Sequence, residues 1–246
     1  MCGRYDLIVN VQALAARFNA SLEAPAAGKE GEELRDWQPR YNIAPGQRNP
    51  VVVAGEQGED RHLALMKWGL VPGWAKEPKT SFSMINARAE TVTHKPSFRK
   101  PFMSRRCLVP ATGYFEWAEE DGGQGKQPYR LQARALGEVG AREAGHEAIV
   151  ALAGLYDVWR GHEGEELYTY TIVTTQASPG LEALHPRMPV ILTREVEDVW
   201  LDTSVKDAER LMGLLVPYPS EKLKVYPVSS AVNSPRNDRP AVVQAI

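Results

Sequence analysis

The chain has 246 residues, 43% of them hydrophobic, which is enough to bury a sizeable core in one large domain or two small ones. A formal net charge of −2 excludes a chain that is basic throughout, and the presence of only two cysteines argues against a disulfide framework. No apolar run reaches the roughly 18 residues of a membrane span, and the N-terminus lacks the basic-then-apolar layout of a signal peptide. We therefore expect a cytoplasmic protein that does not associate with membranes.

The first predicted elements are a short helix and an insertion. Asn10 is a suitable N-cap for a helix whose apolar residues, from Val11 to Phe18, share one face. Residues 20–39 are acidic and contain Pro and Gly, so we interpret them as a surface insertion.

Nine later segments have the composition of strands, since many are rich in Val, Ile, Tyr or Thr and bounded by Gly or Pro. They are residues 50–54, 63–68, 106–109, 113–117, 129–134, 148–159, 168–175, 189–192 and 223–228. Residues 122–125 and 136–146 are interpreted as hairpin tips, and Ser204 with Asp207 as a capping box that opens a helix through Leu215. Because strands and helices do not alternate, we predict an α+β fold: a single domain over residues 1–246 with a mainly antiparallel, curved or barrel-like β core and peripheral helices.

The chain begins Met-Cys-Gly-Arg. If Met1 is removed, Cys2 carries a free amine and a free thiol on adjacent carbons, a 1,2-aminothiol that no internal residue can supply. Gly3 lets the backbone approach a ligand closely, and the guanidinium of Arg4 can hold a phosphate. The alternative is an ordinary chain start.

Three internal stretches place polar side chains among residues that look buried. A strand over residues 86–90 would place Asn86, Arg88 and Glu90 on one face. This polar face either lines a pocket or forms a solvent-exposed edge. Glu116 lies between two aromatic residues, where burial would raise its pKa and suit it to proton transfer; alternation can instead turn it to water. His185 lies in a stiff, proline-flanked loop and is either a positioned acid or base or a structural histidine.

Charge is segregated along the chain. Between residues 91 and 115 there is no Asp or Glu, and five Lys or Arg residues and one His fall there: His94, Lys95, Arg99, Lys100, Arg105 and Arg106. Such a stretch is typical of a local phosphate-binding face, and its alternative is a solvated loop. Segments 40–46 and 68–74 pair turn residues with aromatic residues, which favours base stacking in single-stranded nucleic acid or core packing.

Taken in order, these motifs resemble the SRAP (SOS response-associated peptidase) family of abasic-site processing proteins. The matching segments are Met-Cys-Gly-Arg at 1–4, Asn-x-Ala-Pro-Gly at 42–46, Trp-Gly-x-x-Pro-x-Trp at 68–74, Ile-Asn-Ala-Arg-x-Glu at 85–90, aromatic-Glu-Trp at 115–117 and His-x-Arg-Met-Pro at 185–189, with a closing stretch at 228–238. The resemblance runs collinearly through nearly the whole chain, although the acidic insertion near Glu30 and residues 136–146 match no family motif.

The resemblance implies that Cys2, exposed after loss of Met1, captures abasic sites in single-stranded DNA during the DNA damage response. A Schiff base followed by a thiazolidine would form the DNA–protein crosslink. The implied catalytic residues are Cys2, Asn86, Glu116 and His185. The predicted DNA contacts are Arg4, Asn42, Pro45, Trp68, Trp74, Arg88, Arg99, Arg105, Arg106 and Arg187. The family also implies a thiol peptidase that removes its own Met1, with lyase-like chemistry. We expect a monomer that uses no cofactor or metal and that is nucleoid-associated if bacterial.

Two alternatives share parts of this pattern. N-terminal nucleophile amidotransferases also begin Met-Cys-Gly and use the freed thiol on glutamine, but their Arg-Gly-Pro-Asp and Asn-Gly motifs are not found here. A non-enzymatic single-strand DNA-binding module, in which Cys2 is incidental, would bind any single strand in a salt-sensitive way.

Overall fold

The computed structural model describes residues 2–22, 33–55, 60–78, 84–119, 125–134 and 148–246. The strands are β1 (Arg4–Leu7), β2 (Ala20–Ser21), β3 (Arg40–Ile43), β4 (Arg48–Ala54), β5 (Arg61–Trp68), β6 (Asn86–Arg88), β7 (Arg106–Ala111), β8 (Gly113–Glu119), β9 (Lys126–Ala133), β10 (Val150–Arg160), β11 (Glu166–Gln176), β12 (Arg187–Pro189), β13 (Ile191–Leu192) and β14 (Leu223–Pro227). The principal helices are α1 (Val11–Phe18), α2 (Pro96–Ser104), α3 (Arg194–Leu201) and α4 (Ala208–Met212). In the described part of the chain, no helix has the length and apolar character needed to cross a membrane.

The strands form two sheets. The smaller has five strands, all with antiparallel neighbours, in the order β14-β9-β8-β1-β3. In the larger, β11, β10, β7, β4 and β5 pair antiparallel in that order, and a parallel pairing of β5 with β11 closes them into a barrel. Short strand β6 adds to β11 in parallel. The predicted α+β fold with a mainly antiparallel, barrel-like core is confirmed.

Strand β1 separates two environments, because its side chains alternate between the faces of the smaller sheet. Tyr5 and Leu7 are buried in the large core that both sheets share. Arg4 is paired with Phe115, which belongs to a second, small apolar cluster with Val228, Val232 and Val242. The C-terminal residues therefore cover the outer face of the smaller sheet, and Cys2 enters that sheet between β3 and β8.

Two helix predictions have different outcomes. Helix α1 is confirmed, since the Asn10 side chain accepts a hydrogen bond from the Ala13 backbone N–H and the chain turns into the left-handed region at Asn19. The predicted capping box at Ser204 is wrong. Asp207 is the N-cap, its side chain accepting from the Arg210 N–H, and α4 is only five residues long.

The predicted insertion and the two predicted hairpin tips have different outcomes. The prediction of a surface insertion at 20–39 is wrong for the C-terminal part of that segment, because Leu34 and Trp37 are buried in the core. Residues 23–32 lie outside the described ranges. Strands β8 and β9 pair as the predicted hairpin at 122–125 requires. The residues of the hairpin tip predicted at 136–146 lie outside the described ranges; the strands on either side, β9 and β10, belong to different sheets.

Candidate active site

The fold brings together the four predicted catalytic residues from separate parts of the chain. The Asn86 side-chain amide donates a hydrogen bond of 2.8 Å to the Cys2 carbonyl oxygen. Burial, and then the nearby Glu116 carboxyl, raise the pKa of the Cys2 thiol well above its usual range. Glu116 and His185 line one small cleft with Tyr114. Cys2 therefore lies beside an amide and a carboxyl group, and that carboxyl group shares its cleft with an imidazole.

A buried ion pair that sequence reasoning missed anchors β1 four residues after Cys2. The Asp6 carboxylate accepts hydrogen bonds from Arg130 Nε at 2.8 Å and Nη2 at 2.9 Å, and both side chains are fully buried. Thr112 Oγ1 also donates to Asp6, and Arg130 donates to the Tyr226 hydroxyl at 2.6 Å. A Cβ at Gly113 would lie 2.9 Å from Arg130 Nε, so only glycine fits there. The pair links β1 to β9 across β8, the strand that lies between them in the smaller sheet.

The inner face of β1 is held by tyrosine hydroxyls. Tyr5 and Tyr170 share a hydrogen bond of 2.7 Å, and Asn49 Nδ2 donates to the Tyr170 hydroxyl at 3.0 Å. The Tyr170 hydroxyl therefore connects Tyr5 of β1 to Asn49 of β4. These hydrogen bonds and the Asp6–Arg130 pair hold β1 from opposite faces, which limits how far Cys2 can move.

Glu116 faces the interior rather than solvent. It lies on the same side of β8 as Tyr114 and its side chain is almost completely buried, with 4% of the residue exposed. Burial raises the pKa of the Glu116 carboxyl to about 7. A carboxyl group with this pKa is divided between its acid and base forms near neutral pH, as proton transfer requires.

His185 is held by one backbone residue in either tautomer. Its Nδ1 lies 3.0 Å from both the Arg187 backbone N–H and the Arg187 carbonyl oxygen. Nδ1 can accept from the former when unprotonated and donate to the latter when protonated. Burial, with a further contribution from the Arg187 charge, lowers the pKa of His185. The lowered pKa favours the neutral ring, and the ring can gain or lose a proton at Nδ1 while it stays hydrogen-bonded to the Arg187 backbone.

Within the described residues, no three His, Cys, Asp or Glu side chains meet in the way a metal ion requires. The SOS response associated peptidase (SRAP) family model matches residues 1–235. The chain belongs to the SRAP family. The predicted resemblance is thus confirmed, and the match decides between the two families that begin Met-Cys-Gly.

Curated and solved relatives of this SRAP chain agree with the family match. Abasic site processing protein YoqW of Bacillus subtilis (strain 168) is 40% identical over 245 residues that span both chains completely. Abasic site processing protein HMCES of Gallus gallus is 34% identical over 261 residues, covering 98% of this chain and 76% of the relative. A crystal structure of a protein from Bacteroides thetaiotaomicron superposes over all of both chains with a TM-score of 0.82 and 29% identity. A phage-related protein from Bordetella bronchiseptica gives a TM-score of 0.66 and 30% identity, covering 93% of this chain and 95% of that one.

Two predicted DNA contacts of the SRAP chain bind the C-terminal segment instead. Asn42 is fully buried, and its amide donates to the carbonyl oxygens of Val232, Ser234 and Asn237 at 3.0–3.1 Å. The prediction that Asn42 contacts DNA is therefore corrected. Arg4 donates to Asn42 Oδ1 at 2.8 Å and to Val232 O at 2.6 Å, so its guanidinium is occupied within the protein.

The predicted basic face is smaller than the sequence indicates. Arg106 is 1% exposed and donates to main-chain carbonyl oxygens including those of Phe102 and Trp200, so its predicted DNA contact is wrong. Arg105 forms an ion pair with Asp157. The exposed basic side chains on or beside α2 are His94, Lys95, Arg99 and Lys100.

The two predicted stacking tryptophans have different environments. Trp68 is completely buried, stacked on Tyr170 with ring centroids 6.4 Å apart, so the prediction that it stacks on a base is corrected. Trp74 is 68% exposed. Its loop is fixed to β10, because the Gly73 N–H donates to Asp157 at 2.8 Å.

The remaining predicted contacts lie at or near the surface. Arg88 is exposed at the end of β6, two residues from Asn86, and Pro45 is half-buried. Arg187 is half-buried and paired with Glu90, which is not on the strand face predicted for it, because β6 ends at Arg88 and residues 89–91 form a 3₁₀ turn. Trp74, Arg88 and Arg99 are thus the predicted contacts with exposed side chains.

We expect replacement of Glu116 by glutamine to stabilise the protein at high pH. The folded state binds the Glu116 proton more tightly than the unfolded state, since the pKa rises from 4.5 to about 7 on folding. Wild-type stability should therefore fall by roughly 3 kcal/mol as the pH rises from about 4.5 to about 7. Glu116→Gln carries no such proton, so urea unfolding should find the variant more stable at pH 8 and nearly equal at pH 4. A difference that does not depend on pH would contradict the raised pKa.

Proposed function

We propose that this chain, after loss of Met1, captures abasic sites in single-stranded DNA as a covalent adduct on Cys2. The observation that carries the proposal is the position of Cys2 beside Glu116, whose pKa of about 7 suits proton transfer at neutral pH. The curated relatives named abasic site processing proteins support the same substrate.

The proposed chemistry needs only groups that the protein and the damaged sugar supply. An abasic deoxyribose opens to an aldehyde. The Cys2 amine, with a usual pKa of about 7.7–8.0, is partly neutral at pH 7 and adds to the aldehyde carbon. Loss of one water gives a Schiff base, and addition of the thiol across the C=N bond closes a five-membered thiazolidine. The thiol proton passes to nitrogen, so capture releases one water overall.

The neighbouring side chains have separate roles in this proposal. Protonated Glu116 donates to the ring oxygen as the sugar opens, and its carboxylate then takes the proton that the C1 hydroxyl loses as it becomes the aldehyde. His185 transfers protons at the aldehyde oxygen as it departs as water, and the Arg187 backbone holds the ring in both states. Asn86 fixes the Cys2 carbonyl and thereby the direction of its amine.

The chain must first lose Met1, and we propose that its own peptidase activity contributes. Hydrolysis of the Met1–Cys2 peptide bond consumes one water and releases methionine, which leaves the Cys2 amine free. The family is described as a peptidase, and the same thiol and carboxyl group are at hand for this reaction.

DNA binding would rest on a local surface rather than on net charge. Exposed Trp74 offers a ring on which a base can stack, and Arg88 and Arg99 are exposed for phosphate contacts. A chain of net charge −2 can bind DNA in this way. Because such contacts are salt-sensitive, the covalent step would supply the lifetime of the complex.

The test of the proposal changes the oligonucleotide and keeps the protein the same. We expect a species that survives denaturing electrophoresis when the protein is mixed with a single-stranded oligonucleotide containing an abasic site. The matched control carries a tetrahydrofuran in place of the deoxyribose, which cannot open to an aldehyde, and should give no such species. Equal crosslinking of both oligonucleotides, or of neither, would overturn the proposal.

A further inference from the structure

Arg187 is held by a carboxylate in the geometry that a phosphate would use. Its Nη1 and Nη2 each donate to one oxygen of Glu90 at 3.0 Å. Nη2 also donates to the Thr174 carbonyl oxygen at 2.6 Å. Two parallel N–H···O bonds to a pair of anionic oxygens are how arginine recognises carboxylate and phosphate alike.

The pair lies beside the candidate active site. Arg187 lines the cleft that contains Glu116, and its backbone supports His185. Glu90 follows β6, the strand that carries Asn86, by two residues. Thr174 of β11 pairs with Arg88 of β6, so the ion pair crosses β11 from β12 to β6 at the edge of the cleft.

Solvent reaches the Arg187–Glu90 ion pair from the Glu90 side. The Glu90 side chain is 46% exposed and that of Arg187 is 14% exposed, and ion pairs with one solvent-exposed partner contribute little to folding. Hydrogen bonds from Arg187 lower the pKa of Glu90, which keeps the carboxylate ionised at any pH where DNA would bind. A phosphate group can therefore compete for the guanidinium without breaking the fold.

We propose that Glu90 occupies the phosphate-binding position of Arg187 until a DNA strand displaces it. This inference rests on the proposed function, in which the strand passes this cleft. Glu90 then weakens non-covalent binding to every strand, because each must displace a carboxylate and leave it near a phosphate. Undamaged single strands are released easily, whereas an abasic strand is retained by the bond to Cys2. Glu90 thereby increases the discrimination between the two.

The test is non-covalent binding of an undamaged, fluorescein-labelled single-stranded oligonucleotide, followed by anisotropy across a range of salt. Glu90→Gln should bind roughly two- to fivefold more tightly at low salt, the equivalent of one exposed ion pair. Its plot of log affinity against log salt should be steeper by about one, since one further cation becomes available to the phosphates.

Two controls separate this mechanism from a general effect of charge. Asp198→Asn also removes a carboxylate paired with an arginine, Arg61, whose side chain is 17% exposed. Arg61 begins β5 and lies roughly 20 Å from Trp68 at the other end of that strand. Asp198→Asn should therefore leave binding unchanged. In an Arg187→Gln background, Glu90→Gln should give no gain, because its effect passes through Arg187.

Unchanged or weaker binding by Glu90→Gln, an equal gain from Asp198→Asn, or a gain that persists without Arg187 would each overturn the inference. These results are distinguishable from failure of the proposed function. Wild-type protein that crosslinks abasic DNA while Glu90→Gln gains no affinity refutes only the role of Glu90, whereas absence of crosslinking in wild type refutes the proposed function itself.

Discussion

Replacement of Cys2 by alanine is expected to abolish the denaturation-resistant adduct with abasic DNA. Alanine, like cysteine, is small enough for a methionine aminopeptidase to remove Met1 without help from the thiol, so the variant keeps a free amine and loses only the thiol. It can form a Schiff base, but it cannot close the thiazolidine ring, and the imine hydrolyses when the protein is denatured. Denaturing electrophoresis should therefore show the adduct for wild type and none for the variant.

Trapping with a reductant separates the two nucleophiles. Cyanoborohydride reduces an imine to a stable amine, so Cys2→Ala and Cys2→Ser should both give a resistant adduct when it is present. Blocking the amine by acetylation should prevent the adduct with or without reductant. A resistant adduct of wild-type yield on Cys2→Ala without reductant would show that the thiol is not part of the linkage.

Loss of the Asp6 carboxylate is expected to have the largest effect on folding. Asp6→Ala leaves the Arg130 guanidinium fully buried without its counter-charge, and breaking such a pair costs about 3–5 kcal/mol. For a chain of this size, the midpoint of thermal unfolding should fall by roughly 10 °C. Because β1 follows Cys2 directly, we also expect slower capture by the part of the protein that stays folded.

An exposed ion pair provides the matched control. Arg48 and Glu33 are 2.9 Å apart, but their side chains are 40% and 54% exposed. Glu33→Gln should change the free energy of unfolding by less than about 1 kcal/mol. Similar losses in Asp6→Ala and Glu33→Gln, measured by urea unfolding, would contradict the importance assigned to the buried pair.

Local patterns predicted those parts of the fold that neighbouring residues determine. Asn10 caps α1 because the donor it satisfies is three residues away, and all nine predicted strand segments coincide with observed strands. Strand β1 was missed because Arg4 and Asp6 interrupt its apolar character. Their partners, Asn42 and Arg130, lie 38 and 124 residues further along the chain.

Long separations along the chain also limit what sequence motifs can predict about the site. Motif resemblance selected Cys2, Asn86, Glu116 and His185, which the fold places together. It did not distinguish an arginine that faces solvent from one that binds remote carbonyl oxygens. Arg106 illustrates this difference, since the Trp200 carbonyl it binds is 94 residues away and is invisible to any local pattern. Trp68 and Asn42 are buried for the same reason: the residues around them come from distant parts of the chain.

The most direct test of the account is the mass of the intact protein before and after reaction with an abasic oligonucleotide, followed by peptide mapping of the product. We predict that the reactive protein lacks Met1, that the product equals protein plus oligonucleotide minus one water, and that the modified peptide begins at Cys2. A product that retains Met1, or whose linkage maps to a lysine, would contradict capture by the Cys2 amine and thiol.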